Sequence, residues 1–173
     1  MSIPVSIDPL GHTNELPWLQ PVLTDWGSLE QGLVVTNDST QYFNSNSATW
    51  KMFDADTSSY WCTKDWPAVN NALFTTAIPI KVLSLVFLAR TVAASNASVW
   101  SFYARVNNDW MKLCAGDSYT DGLKKEYIIA NPVFSNEYWL EMTAGHGTAY
   151  TSHAYCGNLK LNAVYKPLKH TLN

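Results

Sequence analysis

The residue types that carry out nucleophilic catalysis are present in this 173-residue chain, but their spacing matches no catalytic motif. Serine is abundant, yet the sequence has no Gly-x-Ser-x-Gly turn, which would expose a serine nucleophile. The four histidines are His12, His146, His153 and His170, and none has a triad motif around it. The 14 aspartates and glutamates are scattered, so no pair is identified that would flank a glycosidic bond. We therefore predict that the protein is not an enzyme.

A second kind of chemistry, metal binding, is suggested by acidic residues at alternate positions. Asp54, Asp56 and Ser58 are followed by Asp65 at the twelfth position, a spacing that weakly resembles a calcium-binding loop. The sixth position, however, is Ser59 instead of glycine, and Asp65 stands where a bidentate glutamate is usual. Short polar side chains also hydrogen-bond to their own backbone, so a capped Asx turn beneath the core is the favoured interpretation. If a cofactor binds, the sequence favours calcium, with Asp54 and Asp56 as weak candidate ligands.

The cysteines and neighbouring histidines give no zinc motif. His146 and His153 are seven residues apart, and Cys156 follows by three, but no further cysteine stands nearby at zinc spacing. Cys62, Cys114 and Cys156 are odd in number and far apart, unlike a disulfide framework. We predict that all three are reduced residues of the core.

The stretch 47–61 must position the candidate calcium ligands, and its pattern predicts three successive local structures. Trp50 and Phe53 lie three residues apart, as on one turn of helix. The following aspartates and serines break that turn. A strand is then predicted to begin at 60–62. The tryptophans at the two ends, Trp50 and Trp61, indicate a plug at the bottom of a sandwich core.

Short apolar segments separated by turn residues predict an all-β fold, an antiparallel β-sandwich without a long helix. The predicted strands are residues 33–36, 72–76, 80–90, 99–106, 110–114, 126–130, 137–143 and 158–166. The strand 80–90 is apolar on both faces, which indicates burial on both sides. The sequence Asn107-Asn108-Asp109 predicts a tight turn between two paired strands.

Residues 1–32 form a separate predicted segment, an N-terminal arm rich in proline. Pro4, Pro9, Pro17 and Pro21 are spaced too closely for helical or strand periodicity, so neither is predicted. The arm also contains apolar residues, and it either packs along its own domain or docks onto another subunit or particle. The predicted domains are the arm at 1–32, the sandwich at 33–166 and a tail at 167–173.

Composition and charge restrict the partners. Charged residues make up only 14% of the chain and aromatic residues 13%, a balance that suits contact with sugar or protein. The net charge of -3 argues against nucleic acid, which needs a basic face. No apolar run approaches ~20 residues, so no membrane insertion is predicted. The first residues lack both a charged region and an apolar run, so no signal peptide is predicted.

The stretch 47–61 also carries a resemblance to a known family. Met52-Phe53-Asp54-Ala55-Asp56 followed by Tyr60-Trp61 resembles the signature near the start of discoidin domains, the coagulation-factor C-type members of the galactose-binding-like jelly rolls. The family usually has glycine where this chain has Ala55, so the turn is predicted to differ locally. The order of strands from 33 to 166 also resembles the family. The resemblance implies a jelly-roll β-sandwich.

The resemblance further implies that a ligand binds to loops at the end of the sandwich remote from the chain termini. By position these loops are 37–49, 63–71, 91–98 and 144–155. The candidate ligand-binding residues in or beside them are Tyr42, Phe43, Trp66, Arg90, His146, Tyr150 and His153. Aromatic rings stack on the C–H faces of sugars while polar groups bind the hydroxyls, so a shallow glycan site is predicted. Trp66 could equally cover the core, and Arg90 could equally pair with a structural carboxylate.

The implied function is non-catalytic recognition of a cell-surface glycan. With no signal peptide and a Pro-rich arm, the chain resembles modules of bacteriophage tails, which predicts a virion location. This resemblance also predicts attachment to other virion proteins through the arm and assembly as a homo-oligomer. Two alternatives are a structural virion decoration or adaptor protein that contacts protein, and an accessory carbohydrate-binding module, or small glycosidase-like enzyme, of a bacterial system.

Overall fold

Alternating apolar and polar side chains produce eleven β-strands and one 3-10 helix in the part of the chain that this computed structural model describes, residues 15–36, 48–56, 58–62, 70–88, 97–117, 124–145 and 155–167. The strands are β1 (Leu16–Trp18), β2 (Gly27–Ser28), β3 (Leu33–Thr36), β4 (Trp61–Cys62), β5 (Asn70–Leu88), β6 (Ala97–Val106), β7 (Asp109–Asp117), β8 (Lys124–Ile128), β9 (Phe134–Gly145), β10 (Tyr155–Cys156) and β11 (Asn158–Tyr165). The 3-10 helix spans Thr49–Phe53. Every strand pair is antiparallel, so the predicted all-β class is confirmed.

The longest strand, β5, belongs to both layers of the sandwich. Its first part pairs with β3 and β9, and from Ile80 onward it pairs mainly with β11 and β8. Its register against β9 shifts between Thr75 and Ile80, where Ala77, Ile78 and Pro79 are exposed and the strand bends. The front layer is therefore β2-β3-β5-β9-β6-β7, and the back layer is β1-β11-β5-β8.

The prediction of two separate strands at 72–76 and 80–90 is wrong, because the chain continues through the bend as one strand. Residues 77–79 have no register partner on the described strands, and Pro79, which has no N–H to donate, is tolerated at such a bend. The prediction that 80–90 is buried on both faces holds for Val82, Leu85, Val86 and Phe87, while Leu83 is exposed at a register shift.

The core is centred on aromatic rings contributed by three adjacent strands of the front layer. Phe74, Phe102 and Tyr138 stack with ring centroids 5.5 to 5.9 Å apart. The Tyr138 hydroxyl donates to the Ile80 carbonyl at 2.6 Å, and burial raises the pKa of this phenol. The buried residues of these strands alternate along the chain, namely Trp100, Phe102 and Ala104 on β6 and Tyr138, Leu140 and Met142 on β9.

The turn between β6 and β7 has the backbone that the sequence predicts. Asn107 and Asn108 have φ angles of 52° and 70°, in the left-handed region that asparagine tolerates better than other side chains. Two consecutive residues with positive φ match the right-handed twist of the paired strands. The predicted tight hairpin is confirmed.

The stretch from the 3-10 helix to β4 closes one side of the core, as predicted. Met52, Phe53 and Trp61 are fully buried, and Phe53 meets Phe74 edge to face at 5.4 Å between ring centroids. Trp50 is only partly buried and packs against the margin of the core. Trp61 is therefore the tryptophan that fills the core.

The described part of the arm, residues 15–32, packs along its own domain. The prediction that 1–32 contains no strand is wrong for β1, which pairs with β11, and for β2, which pairs with β3. Pro17 is tolerated in β1 because an edge strand need not donate on its outer side. Leu23 is buried, and Trp18 and Trp26 pack against the core. The domain boundary at residue 32 stays a prediction.

The three cysteines are thiols, as predicted. Cys62 pairs with Tyr155 and Cys156 with Trp61, so the two cysteine side chains lie on opposite faces of their two-stranded ribbon. Burial raises the pKa of Cys156 to about 12 and that of Cys114 to about 11, which keeps both protonated at neutral pH. Within the described residues no helix is long and apolar enough to cross a membrane.

Candidate functional site

One end of the sandwich gathers the strand ends that flank the predicted ligand loops. The register pairs Thr36 with Leu73, Asn70 with Met142, Ala97 with Gly145 and Val99 with Asp117 in the front layer, and Leu88 with both Lys124 and Asn158 in the back layer. The segments 37–47, 63–69, 89–96, 118–123 and 146–154 each adjoin at least one strand end of this group. We call this group of strand ends the loop end.

The two layers meet at the loop end because β5 folds back on itself. Phe87 directly precedes the last residue of β5, and its ring centroid lies 4.9 Å from that of Trp100. Trp100 pairs with Met142, which also pairs with the first residue of β5, Asn70. The pairing of Leu16 with Tyr165 lies at the opposite end, beside Ile80. The loop end is thus remote from β1 and from the C-terminal end of β11.

All seven predicted ligand-binding residues lie outside the described residues. They are Tyr42, Phe43, Trp66, Arg90, His146, Tyr150 and His153. The register brings the strand ends next to them together, but the contacts of these side chains stay predictions.

A rigid aromatic base lies in the core beneath the loop end. Trp100, Phe87 and Tyr127 contact one another, with the Tyr127 ring perpendicular to Trp100 at 4.7 Å between centroids. Gly116 permits this packing, because a Cβ there would lie 2.5 Å from Trp100 Cζ2 and 2.8 Å from Tyr127 Cε1. The base joins β5, β6, β7 and β8 within a few residues of the connecting segments 89–96 and 118–123.

The predicted Asx bend is present after the 3-10 helix. Asp54 Oδ1 accepts from the Asp56 N–H at 2.9 Å, and Asp56 Oδ1 accepts from the Ser58 N–H at 2.8 Å and the Ser58 hydroxyl at 2.7 Å. The hydrogen bond from the Ser58 hydroxyl has the largest effect, and with the bond from the Ser58 N–H it holds the pKa of Asp56 below its usual value. The bend is therefore stabilised by the ionised form of the Asp56 side chain.

Four oxygen atoms converge inside this bend, with the Ser59 hydroxyl at their centre. Ser59 Oγ lies 2.6 Å from Asp54 Oδ2, 3.1 Å from the Asp56 carbonyl oxygen and 3.2 Å from that of Lys51. A hydroxyl has one proton and serves one of these acceptors at a time. The Asn158 amide also donates to the Asp56 carbonyl at 2.6 Å. Ca²⁺ takes such sets of carboxylate, carbonyl and hydroxyl oxygens.

Calcium binding stays a prediction, but the structure changes which residues would carry it. Ser59, which counted against a calcium loop because it replaces glycine, lies at the centre of the oxygens. The Lys51 carbonyl has no sequence signal, since any residue supplies one. Among the described residues no three His, Cys, Asp or Glu side chains are grouped as metal ligands would be.

A groove of about 600 Å³ is lined by the arm, β11 and the region of the Asx bend. Its walls include Trp18, Leu19 and Val22 from the arm and Leu83 from β5. Leu19 is 85% exposed and Val22 63%, so the rim of the groove is apolar and open to solvent.

The sequence matches no protein-family model and no curated protein. Solved structures do match. A family 32 carbohydrate-binding module of Clostridium perfringens NanJ, in complex with galactose, superposes with a TM-score of 0.62 at 16% identity, over 77% of this chain and 93% of that one. A second C. perfringens module, CBM32-5 of GH89 in complex with GalNAc-β-1,3-galactose, gives 0.62 at 16% identity over 77% and 94%.

The C-terminal domain of a Bacteroides fragilis chitobiase also matches, with a TM-score of 0.62 at 17% identity over 88% of this chain and 100% of that domain. At identities this low, the superpositions show a shared fold alone. The chain has the galactose-binding-like β-sandwich fold that is shared with family 32 carbohydrate-binding modules, which confirms the predicted fold class.

Proposed function

We propose that this protein is a non-catalytic carbohydrate-recognition module that binds glycans ending in galactose or N-acetylgalactosamine at its loop end. The observation that carries the proposal is the register, which gathers at least one end of each of five connecting segments on a fold shared with carbohydrate-binding modules. Two of the similar modules are in complex with galactose and with GalNAc-β-1,3-galactose, and these sugars give the proposed ligand class.

The proposed roles follow from the side-chain chemistry of the seven loop residues. Trp66 would stack on the apolar C–H face of a pyranose, and Tyr42 or Phe43 would add a second ring. Arg90 and His153 would hydrogen-bond to hydroxyls, since both present planar donors. The aromatic base beneath the loop end supports the proposal because a recognition site needs rigid elements below its loops.

The proposal is tested by a glycan array probed with the purified full chain and with Trp66→Ala. We expect a defined set of galactose- or GalNAc-terminated glycans, with signal reduced about tenfold in the variant because one stacking ring is lost. Leu29→Ala is the matched control, since Leu29 is 53% exposed on the arm. A blank array from folded protein would contradict the proposal. Loss of signal in EDTA, restored by calcium, would support the oxygen cluster around Ser59 as a cation site.

The biological setting is proposed separately from the ligand. The similar structures include a chitobiase domain and a module of a glycoside hydrolase, and these favour an accessory module of a bacterial enzyme system. The virion location, attachment through residues 1–32 and homo-oligomer assembly rest on the character of the arm alone. None of the three structures compared above is a virion protein.

A further inference from the structure

The outer face of the front layer carries three large aromatic side chains. Along β9 the core residues Tyr138 and Leu140 flank Trp139, which therefore points away from the core. Tyr103 on β6 pairs directly with Trp139, and Trp110 lies at the start of β7, the edge strand beside β6. All three side chains are partly exposed. We call Tyr103, Trp110 and Trp139 the sheet-face cluster.

The rings of the sheet-face cluster form a corner. Tyr103 stacks on Trp139 with centroids 5.1 Å apart and an interplanar angle of 29°. Trp110 meets Trp139 at 5.6 Å and 77°, so the two indole planes are nearly perpendicular. A pyranose placed in such a corner contacts the face of one indole and the edge of the other. The strands hold the rings in place, so little ordering is needed on binding.

Charged groups flank the rings with equal numbers of each sign. Arg105 Nη1 donates to Glu137 Oε2 at 2.6 Å, and the Tyr103 hydroxyl lies 3.4 Å from Glu141 Oε1. Lys112 Nζ lies 5.7 Å from the Tyr103 ring centroid. Two cations and two carboxylates balance, which favours an uncharged ligand over an acidic or a basic one. Carboxylates and a guanidinium also provide the planar groups that bind pairs of sugar hydroxyls.

Cross-strand packing explains part of this cluster but not its position. Aromatic pairs stabilise sheets, and the Tyr103–Trp139 contact is such a pair. Edge strands, however, usually carry charged residues that prevent unwanted pairing. Trp110 instead places a large, partly exposed ring on the edge strand. Arg105 Cζ lies 6.0 Å from the centroid of this ring.

We propose that the sheet-face cluster is a second carbohydrate-binding site, which takes an uncharged oligosaccharide and is independent of the loop end. Trp110 and Trp139 contact the C–H faces of one pyranose, while Arg105 and Glu137 bind its hydroxyls. The site goes beyond the proposed function, because it uses another face of the sandwich. A chain with both sites binds a branched or repeating glycan at two places, which raises its avidity.

The test is an NMR titration of the uniformly ¹⁵N-labelled full chain with galactotetraose, cellotetraose, chitotetraose and GalNAc-β-1,3-galactose. The indole N–H and backbone signals of Trp110, and the backbone amides of Tyr103 and Lys112, are expected to shift with at least one of these uncharged probes. Trp110→Ala is expected to weaken that binding about three- to tenfold, the contribution of one aromatic contact. The control is Met111→Ala, which changes the neighbouring residue on the opposite face of β7.

Two further variants separate the sites. Arg105→Gln removes an exposed charge without touching the core, so it tests the cluster even if Trp110→Ala misfolds. Trp66→Ala is expected to leave the shifts of the sheet-face cluster unchanged. Shifts restricted to the loop end and abolished by Trp66→Ala would overturn this inference and leave the proposed function intact. Shifts restricted to the cluster would support the inference and contradict the proposed function, and no shift with any probe would overturn both.

Discussion

At the scale of single residues, Ala55 shows the sharpest conflict between residue type and backbone. Its φ angle is 59°, in the left-handed region where a Cβ atom crowds the following carbonyl. The discoidin signature has glycine at this place, and the structure shows why, because the backbone adopts the glycine conformation even with alanine. The neighbouring Asx hydrogen bonds were predictable from Asp54 and Asp56 alone. The strain at Ala55 was not, because it depends on the φ angle.

We expect Ala55→Gly to stabilise the protein by about 1 kcal/mol, because the left-handed conformation costs a β-carbon roughly 1–2 kcal/mol and glycine returns part of that in unfolded-state entropy. Urea denaturation measures the change in the free energy of unfolding. The matched control is Ala130→Gly, an exposed alanine whose φ is not positive, which is expected to be neutral or destabilising. If Ala55→Gly is no more stable than the wild type, the backbone at Ala55 is not strained.

At the scale of elements, the sequence predicts the strands that carry a clean alternation and misses those that depend on tertiary pairing. The strands β6, β9 and β11 were predicted within a few residues, because one face of each is continuously apolar. The short strand β1 was missed, since Pro17 argues against a strand and only the edge of β11 makes it one. The bend of β5 was read as a break, because a proline next to exposed residues looks the same in both cases.

One side chain completes the pairing of the arm with the sheet. Gln20 Nε2 donates to the Leu159 carbonyl at 3.0 Å, and Gln20 Oε1 accepts from the Leu161 N–H at 2.7 Å. The Gln20 side-chain amide thereby extends the hydrogen bonding between the arm and β11 beyond the residues that pair with β1. Without Gln20 these two groups on β11 would lose their partners.

We expect Gln20→Ala to destabilise the protein by about 1–3 kcal/mol, the net value of two hydrogen bonds to backbone groups. Chemical denaturation checks the free energy of unfolding, and Gln31→Ala, at an exposed glutamine of the same arm, is the control. Faster hydrogen exchange at the Leu161 amide is expected in the same variant. Equal stability of Gln20→Ala and Gln31→Ala would show that the side chain does not hold the edge.

At the scale of the whole molecule, the loop end is a product of long-range register. Residues as far apart as Leu88 and Asn158 define it, and no local pattern in the sequence places them together. The family resemblance predicted the sandwich correctly, and ligand binding at this end stays a prediction. The seven side chains proposed to bind there were chosen by residue type and loop position. The sheet-face cluster was missed because Trp110, Tyr103 and Trp139 read, in sequence, as ordinary members of strands.

The central claim, that the loop end binds the glycan, is tested by locating GalNAc-β-1,3-galactose on the full chain by backbone amide chemical shifts. Saturable shifts are expected at strand ends of the loop end, among them Asn70, Lys124, Gly145 and Asn158. None are expected at the opposite end around Leu16, which is away from both the loop end and the sheet-face cluster. Saturable shifts at that opposite end, or a folded protein whose loop-end amides do not respond to the disaccharide, would contradict the claim.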